Sequence, residues 1–183
     1  MIGLKTYLPQ IAPLLGMSAE MAYERQRALV REGILKPRPG RGPGSGVSAD
    51  EDSLAVLLIS ILSHDLLTET PVTNFYCELR SSQKKCPITG AKTFRKALSS
   101  LLANPVLLEE QESMLVEVIR GSEPQADVGF FYDKMSTFVP EKKWKPEPEL
   151  LASRVFRSVR IGLVDLLLPL SKDIAQFKKD VAT

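Results

Sequence analysis

A chain of 183 residues with 44% hydrophobic and 25% charged side chains has the composition of a folded protein, which excludes wholesale disorder. At this length one domain, or two small ones, buries enough apolar surface to stand without disulfides. The net charge of +2 is uninformative by itself, but residues 1–50 hold seven basic side chains (Lys5, Arg25, Arg27, Arg31, Lys36, Arg38, Arg41) against four acidic ones (Glu20, Glu24, Glu32, Asp50), leaving the remainder near −1.

Along the chain, "GLKTYLPQIAPLLG" sets Leu4, Leu8, Ile11 and Leu15 at helical spacing. Pro9 and Pro13 lack amides, so this spacing predicts a helix that begins near Leu8 or is kinked. Gly16 ends the element and Ser18 is placed to cap the next, "SAEMAYERQRALVREG", in which Ala22, Gln26, Leu29 and Val30 face inward. Tyr23, Glu24, Arg27 and Arg31 fall outward or at the rim, Arg25 is expected at the surface, and Gly33 is placed as the C-cap. Two short helices joined by a turn of three or four residues form a helix-turn-helix candidate, and the same pattern fits an ordinary packed pair.

"GILKP" predicts a short strand at Ile34 and Leu35, with Val47 on a returning strand. Ser48 is the expected cap of a third helix whose Asp50 and Glu51 suit its positive end, and Leu54, Leu57, Leu58, Ile61 and Leu62 give that helix a broad apolar face. Between strand and helix, Gly40, Gly42, Gly44 and Gly46 alternate with Arg41, Pro43 and Ser45. Such a loop reads as a wing. Glycine lets the backbone approach a phosphate, proline limits its wandering, and Lys36, Arg38 and Arg41 supply charge. A plain flexible linker fits the same composition.

The pattern breaks at "HDLLTETP", which sets an expected boundary near residue 66 between an N-terminal domain (1–66) and a second one (67–183). "PVTNFYCELRS" predicts a helix after Pro71 with Phe75 and Leu79 inward, and "TGAKTFRKALSSLLAN" a clearer helix. An acidic turn at Glu109, Glu110 and Glu112 precedes two strand-like runs, Leu115–Ile119 and Val128–Tyr132, split by Gly121, Ser122 and Pro124 as in a hairpin. After the polar "VPEKKWKPEPE", Val155 to Ile161 alternates like a strand, and a helix follows with Pro169 at a kink or boundary. The expected class is α+β: a winged helix-turn-helix followed by a small helical and β-hairpin-containing domain.

Enzymatic signatures fit poorly. "GRGPGSG" lacks the Gly-Lys-Ser/Thr of a phosphate loop, and its proline spoils a dinucleotide turn. His64 is the lone histidine, Asp127 and Asp133 form no recognisable pair, and Cys77 and Cys86 are too few for a closed zinc site. The expectation is therefore a non-enzyme with no cofactor, no metal and reduced thiols. Without a signal segment or an apolar run of spanning length, the expected location is cytoplasmic with no membrane partner.

The order helix, turn, helix, "REGILKP", wing and acid-started "SADEDSLAVL", spanning Ile11 to Leu62, resembles the N-terminal domain of MerR-type regulators. The resemblance covers about a third of the chain. It departs in a longer second helix, a glycine-rich wing lacking the usual aromatic and arginine, and the absence of a heptad run for the family's coiled coil. What it implies is a homodimer on palindromic double-stranded DNA, dimerising here through residues after 66, with possible contact to the transcription machinery.

The function expected from these residues is a sequence-specific transcriptional regulator. Ser18, Glu20, Tyr23, Glu24 and Arg27 would approach bases or backbone, with Arg31, Lys36, Arg38, Arg41, Gly42, Gly44 and Ser45 on the backbone or in the wing. The alternative is a protein-interaction adaptor built on the same fold.

Overall fold

The computed structural model describes residues 2–39, 46–109, 114–120, 124–130, 135–140, 157–162 and 166–182. Its elements are α1 (Leu4–Ile11), α2 (Ala19–Arg31), α3 (Glu51–Ser63), a 3-10 turn (Leu67–Glu69), α4 (Thr70–Glu78), β1 (Arg80–Ser81), α5 (Phe94–Leu102), α6 (Pro105–Glu109), β2 (Met114–Arg120), β3 (Gln125–Phe130), β4 (Met135–Val139), β5 (Arg157–Gly162) and α7 (Leu168–Ala182). The strands form one antiparallel sheet in the order β1-β4-β3-β2-β5. The class is α+β.

Helix α1 starts at Leu4, four residues before the position its prolines suggested. Pro9 withholds an amide only from the carbonyl of exposed Lys5, which water can satisfy, while Leu4, Tyr7, Leu8 and Ile11 are buried. The connection to α2 runs over residues 12–18, longer than the expected turn. The chain keeps coiling through Leu15 and Met17 amide bonds back to Ile11 and Ala12, until Gly16 turns it at φ 66. Ser18 then caps α2, its hydroxyl accepting from the Met21 amide at 3.2 Å.

The C-terminal end of α2 replaces the strand expected at Ile34 and Leu35. Gly33, at φ 69, donates to Val30 O, and the Ile34 amide reaches back to Leu29 O, each at 3.0 Å. That is a Schellman arrangement, and it buries Ile34 and Leu35 against the helix they follow. Pairing begins only at Arg38, which exchanges backbone hydrogen bonds of 3.0 and 3.3 Å with Gly46. Ser48, expected as a cap, instead forms an antiparallel bridge with Gly3; Asp50 caps α3 by accepting from the Ser53 amide at 2.8 Å.

Helix α3 is enclosed on all sides, with Leu54 through Ile59 buried without interruption. An apolar helix of this kind needs cover from several directions. It packs against α2, α4, α5, β2 and β5. Each fully buried leucine or isoleucine contributes roughly 1.5–3 kcal/mol relative to exposure. The expected boundary near 66 falls in the turn between α3 and α4, and the apolar core runs across it without a gap.

In α4 the inward side chains are Thr73, Tyr76 and Cys77, not Phe75, which is half-buried. The β2–β3 hairpin sets Val116 opposite Val128 and Val118 opposite Ala126, all buried. Pro169 is the second residue of α7, directly after a π-helical turn at Leu166 and Leu167. Helix α7 returns to the N-terminal segment: Tyr7 donates its hydroxyl to Asp173 at 2.6 Å and meets Phe177 edge-on at 5.1 Å. Both cysteines are buried and unlinked, and burial pushes the Cys77 thiol up to about 12. Among the described residues, no single helix is long and apolar enough to cross a membrane, and no three His, Cys, Asp or Glu side chains gather as a metal site.

Candidate nucleic-acid interface

The exposed side of α2 and the residues just after it carry Arg27, Arg31, Lys36 and Arg38. Ser18 is committed to its capping bond, and Glu20 is fully exposed. The Glu20 carboxyl is held below its ordinary range by a backbone amide hydrogen bond and by the Ser18 hydroxyl. One turn on, Glu24 accepts from Arg27 at 2.9 Å, so the two form an i,i+3 ion pair with both side chains about half in solvent. An exposed pair of this kind is worth about 0–1 kcal/mol and opens readily for another anion.

Tyr23 is half-buried, with the Lys5 ammonium 4.9 Å from its ring centroid. This cation–π contact brings a second positive charge from α1 to the same side of α2. Arg31, Lys36 and Arg38 are exposed, and Arg38 stands at the paired base of the loop. Gly46 closes that base at φ 96, a conformation that favours glycine. Arg41, Gly42, Gly44 and Ser45 lie outside the described residues. Tyr23, Glu24, Arg27, Arg31, Lys36 and Arg38 thus project from one helix and the loop base that follows it.

Arg25 departs from its expected surface position. It is 7% exposed and reaches the C-terminal end of α3, where Nη1 donates to Ser60 O at 3.0 Å and His64 O at 3.3 Å, and Nη2 donates to Asp65 O at 3.0 Å. Arg120 approaches the same helix end from β2, donating to Leu62 O at 2.7 Å and Ile61 O at 3.3 Å. Two guanidinium groups therefore satisfy the last carbonyls of α3 and sit at the negative end of its dipole. Glu51 and Asp52 occupy its first turn at the other end.

His64, 2% exposed, lies inside this cluster. Its Nδ1 is 2.8 Å from Leu66 O and its Nε2 is 2.9 Å from Thr73 Oγ1. We assign the proton to Nδ1, which donates to Leu66 O while Nε2 accepts from the Thr73 hydroxyl; the 3.2 Å approach of Arg25 to Nδ1 is then a contact. Burial, and next the Arg25 charge, push His64 down to about 4. The ring is neutral and structural. The sequence did hold a signal for Arg25, since it falls between Ala22 and Leu29 on the inward stripe.

No protein-family model, curated protein or solved structure matches this chain.

Proposed function

We propose that this protein is a non-enzymatic, cytoplasmic regulator of transcription that binds double-stranded DNA through α2 and the 38–46 loop as a winged helix-turn-helix. What supports the reading is one juxtaposition: a capped helix with Glu24 and Arg27 outward and Tyr23 at the rim leads, through the turn at Gly33, into a basic loop whose base is closed by Arg38 and Gly46. Arg27, released from Glu24, can donate two hydrogen bonds to guanine, and Tyr23 can pack on a thymine methyl or donate to a phosphate. Arg31, Lys36 and Arg38 neutralise phosphates, joined by Arg41 with Gly42, Gly44 and Ser45 from the loop. The protein acts as a homodimer through residues after 66 on a palindromic site, without metal or cofactor.

A second reading, a protein-interaction adaptor, is favoured by Leu14 and Met21, which are 47% and 62% exposed on the connection and first turn of α2. Selection of bound fragments from a random duplex pool separates the two. An enriched palindrome supports the regulator. A pool that stays unenriched while Leu14→Ser and Met21→Ser abolish capture of a protein partner supports the adaptor.

A further inference from the structure

The thirty residues from Leu79 to Leu108 contain six cations and no carboxylate, where the chain's average of 22 acidic residues in 183 would place three or four. Arg95 and Lys96 both bond the Asp52 carboxylate, which burial would raise but which their hydrogen bonds and charges hold below its ordinary range. Lys84, Lys85 and Lys92 line one pocket of about 460 Å³ together with Arg80 and Ser81. That volume lies within the range of small-ligand sites, roughly 300–1,000 Å³.

The pocket is held by a fixed backbone. Arg80 bridges Thr93 antiparallel, Ser81 donates its amide to Lys92 O at 3.0 Å, and Phe94 donates to Leu79 O at 2.9 Å, so the loop between is pinned at its base. Its interior is anchored by buried Cys86, whose amide donates to Ala91 O at 2.7 Å and whose carbonyl accepts from Gly90 at 2.8 Å. Lys84 adopts φ 67, the left-handed region that a lysine rarely enters. The ammonium groups of Lys84, Lys85 and Lys92 round one concavity repel one another. A multiply charged anion relieves that repulsion, and one with several oxygens can accept from several ammonium groups at once.

We propose that this pocket is a binding site for consecutive phosphate groups, independent of the DNA-binding reading of the N-terminal segment. Such groups are found in free polyphosphate-bearing small molecules, linked directly, and in a nucleic-acid backbone, as diesters separated by sugars; both present anionic phosphate oxygens that accept from ammonium groups.

The test titrates tripolyphosphate, and separately a short duplex, into the full-length protein by calorimetry at physiological ionic strength. The same titrations use Lys85→Ala/Lys92→Ala and, as a variant of equal charge change, Lys36→Ala/Arg38→Ala. The expected result is tripolyphosphate binding that weakens about tenfold or more in the first variant and is unchanged in the second. Lys84→Gly removes another cation where the backbone suits glycine, and it weakens binding without loss of fold. Parallel weakening of duplex binding in Lys85→Ala/Lys92→Ala assigns the phosphates to nucleic acid, and unchanged duplex binding assigns them to a free ligand. The proposal is overturned if the wild type and this variant take up tripolyphosphate alike, or if neither probe depends on Lys85 and Lys92. Loss of duplex binding in Lys36→Ala/Arg38→Ala alone bears on the N-terminal interface and not on the pocket.

Discussion

Arg25 donates to Ser60 O, His64 O and Asp65 O at the buried C-terminal end of α3, of which Ser60 O also accepts from the His64 amide and the Ser63 hydroxyl. Replacing it with methionine keeps the stem and removes the guanidinium donors of the His64 and Asp65 carbonyls, so Arg25→Met should lower the unfolding free energy by about 2–4 kcal/mol in a denaturant titration. Lysine should not rescue it, because two guanidinium nitrogens serve separate carbonyls and an ammonium is a single point. His64 adds a pH dependence of defined sign. Its folded value near 4 lies below the ordinary 6.5, so the unfolded chain binds the extra proton first. Stability is lost as pH falls from about 6.5 to about 4, by about 3 kcal/mol at most, and is kept above that window. His64→Gln should flatten the curve over this range relative to wild type; parallel curves for the two proteins would contradict the assignment of a neutral buried ring. The inward position of Arg25 was legible from its spacing to Ala22 and Leu29, but its partners and those of His64 were not, since they lie far along the chain, here Ser60 and Arg120.

At the level of elements, local chemistry was legible wherever the signal was local. Ser18 as cap, Gly33 as C-cap and the pairing of β2 with β3 all follow from neighbours within a few residues, although β3 runs over Gln125–Phe130 where Val128–Tyr132 was expected. The strand expected at Ile34 and Leu35 failed because the Schellman turn competes for the same amides, and the cap expected at Ser48 failed because that residue pairs with Gly3, forty-five positions away. Strand β1, only Arg80 and Ser81, exists through its pairing with Val139 and Phe138 and leaves no pattern of its own. Two substitutions probe the candidate interface at this scale. Ser18→Ala should cost about 1 kcal/mol through the lost cap. Gly46→Ala forces a β-carbon into φ 96 and should cost about 1–2 kcal/mol. If the loop base orients the wing, Gly46→Ala should also weaken DNA binding where Ser18→Ala, matched for stability, does so less. Equal affinities for both variants and the wild type would remove the loop from the interface.

For the whole molecule, α3 is the shared centre. Its apolar content was evident from the sequence, but burial on every side was not, because "LAVLLISIL" fits a one-sided helix and an enclosed one equally well. The continuous core predicts one cooperative thermal transition with equal calorimetric and van't Hoff enthalpies. A fragment ending at residue 66 loses the cover that α4, α5 and β2 give α3, so it should aggregate or remain unfolded. Two resolved transitions, or a fragment with native-like helicity and a sharp melt, would show that the N-terminal segment stands alone. The coupling has a functional side: Arg25 ties the proposed recognition helix to α3, and Arg120 ties the same helix end to the sheet. A change in the sheet therefore has a direct path to the helix proposed to face DNA.

The central claim is that α2 and the loop after it bind DNA, and its most direct test is the salt dependence of affinity for the duplex selected from a random pool. Anisotropy titrations at several salt concentrations would compare the wild type with Arg27→Ala/Arg38→Ala. The Glu24–Arg27 pair is exposed, so the variant should keep its stability within about 1 kcal/mol. The account predicts that it binds the selected duplex about 1–3 kcal/mol more weakly for each contact removed, with a shallower salt slope than wild type. Equal affinity and equal slope in the two proteins would contradict it.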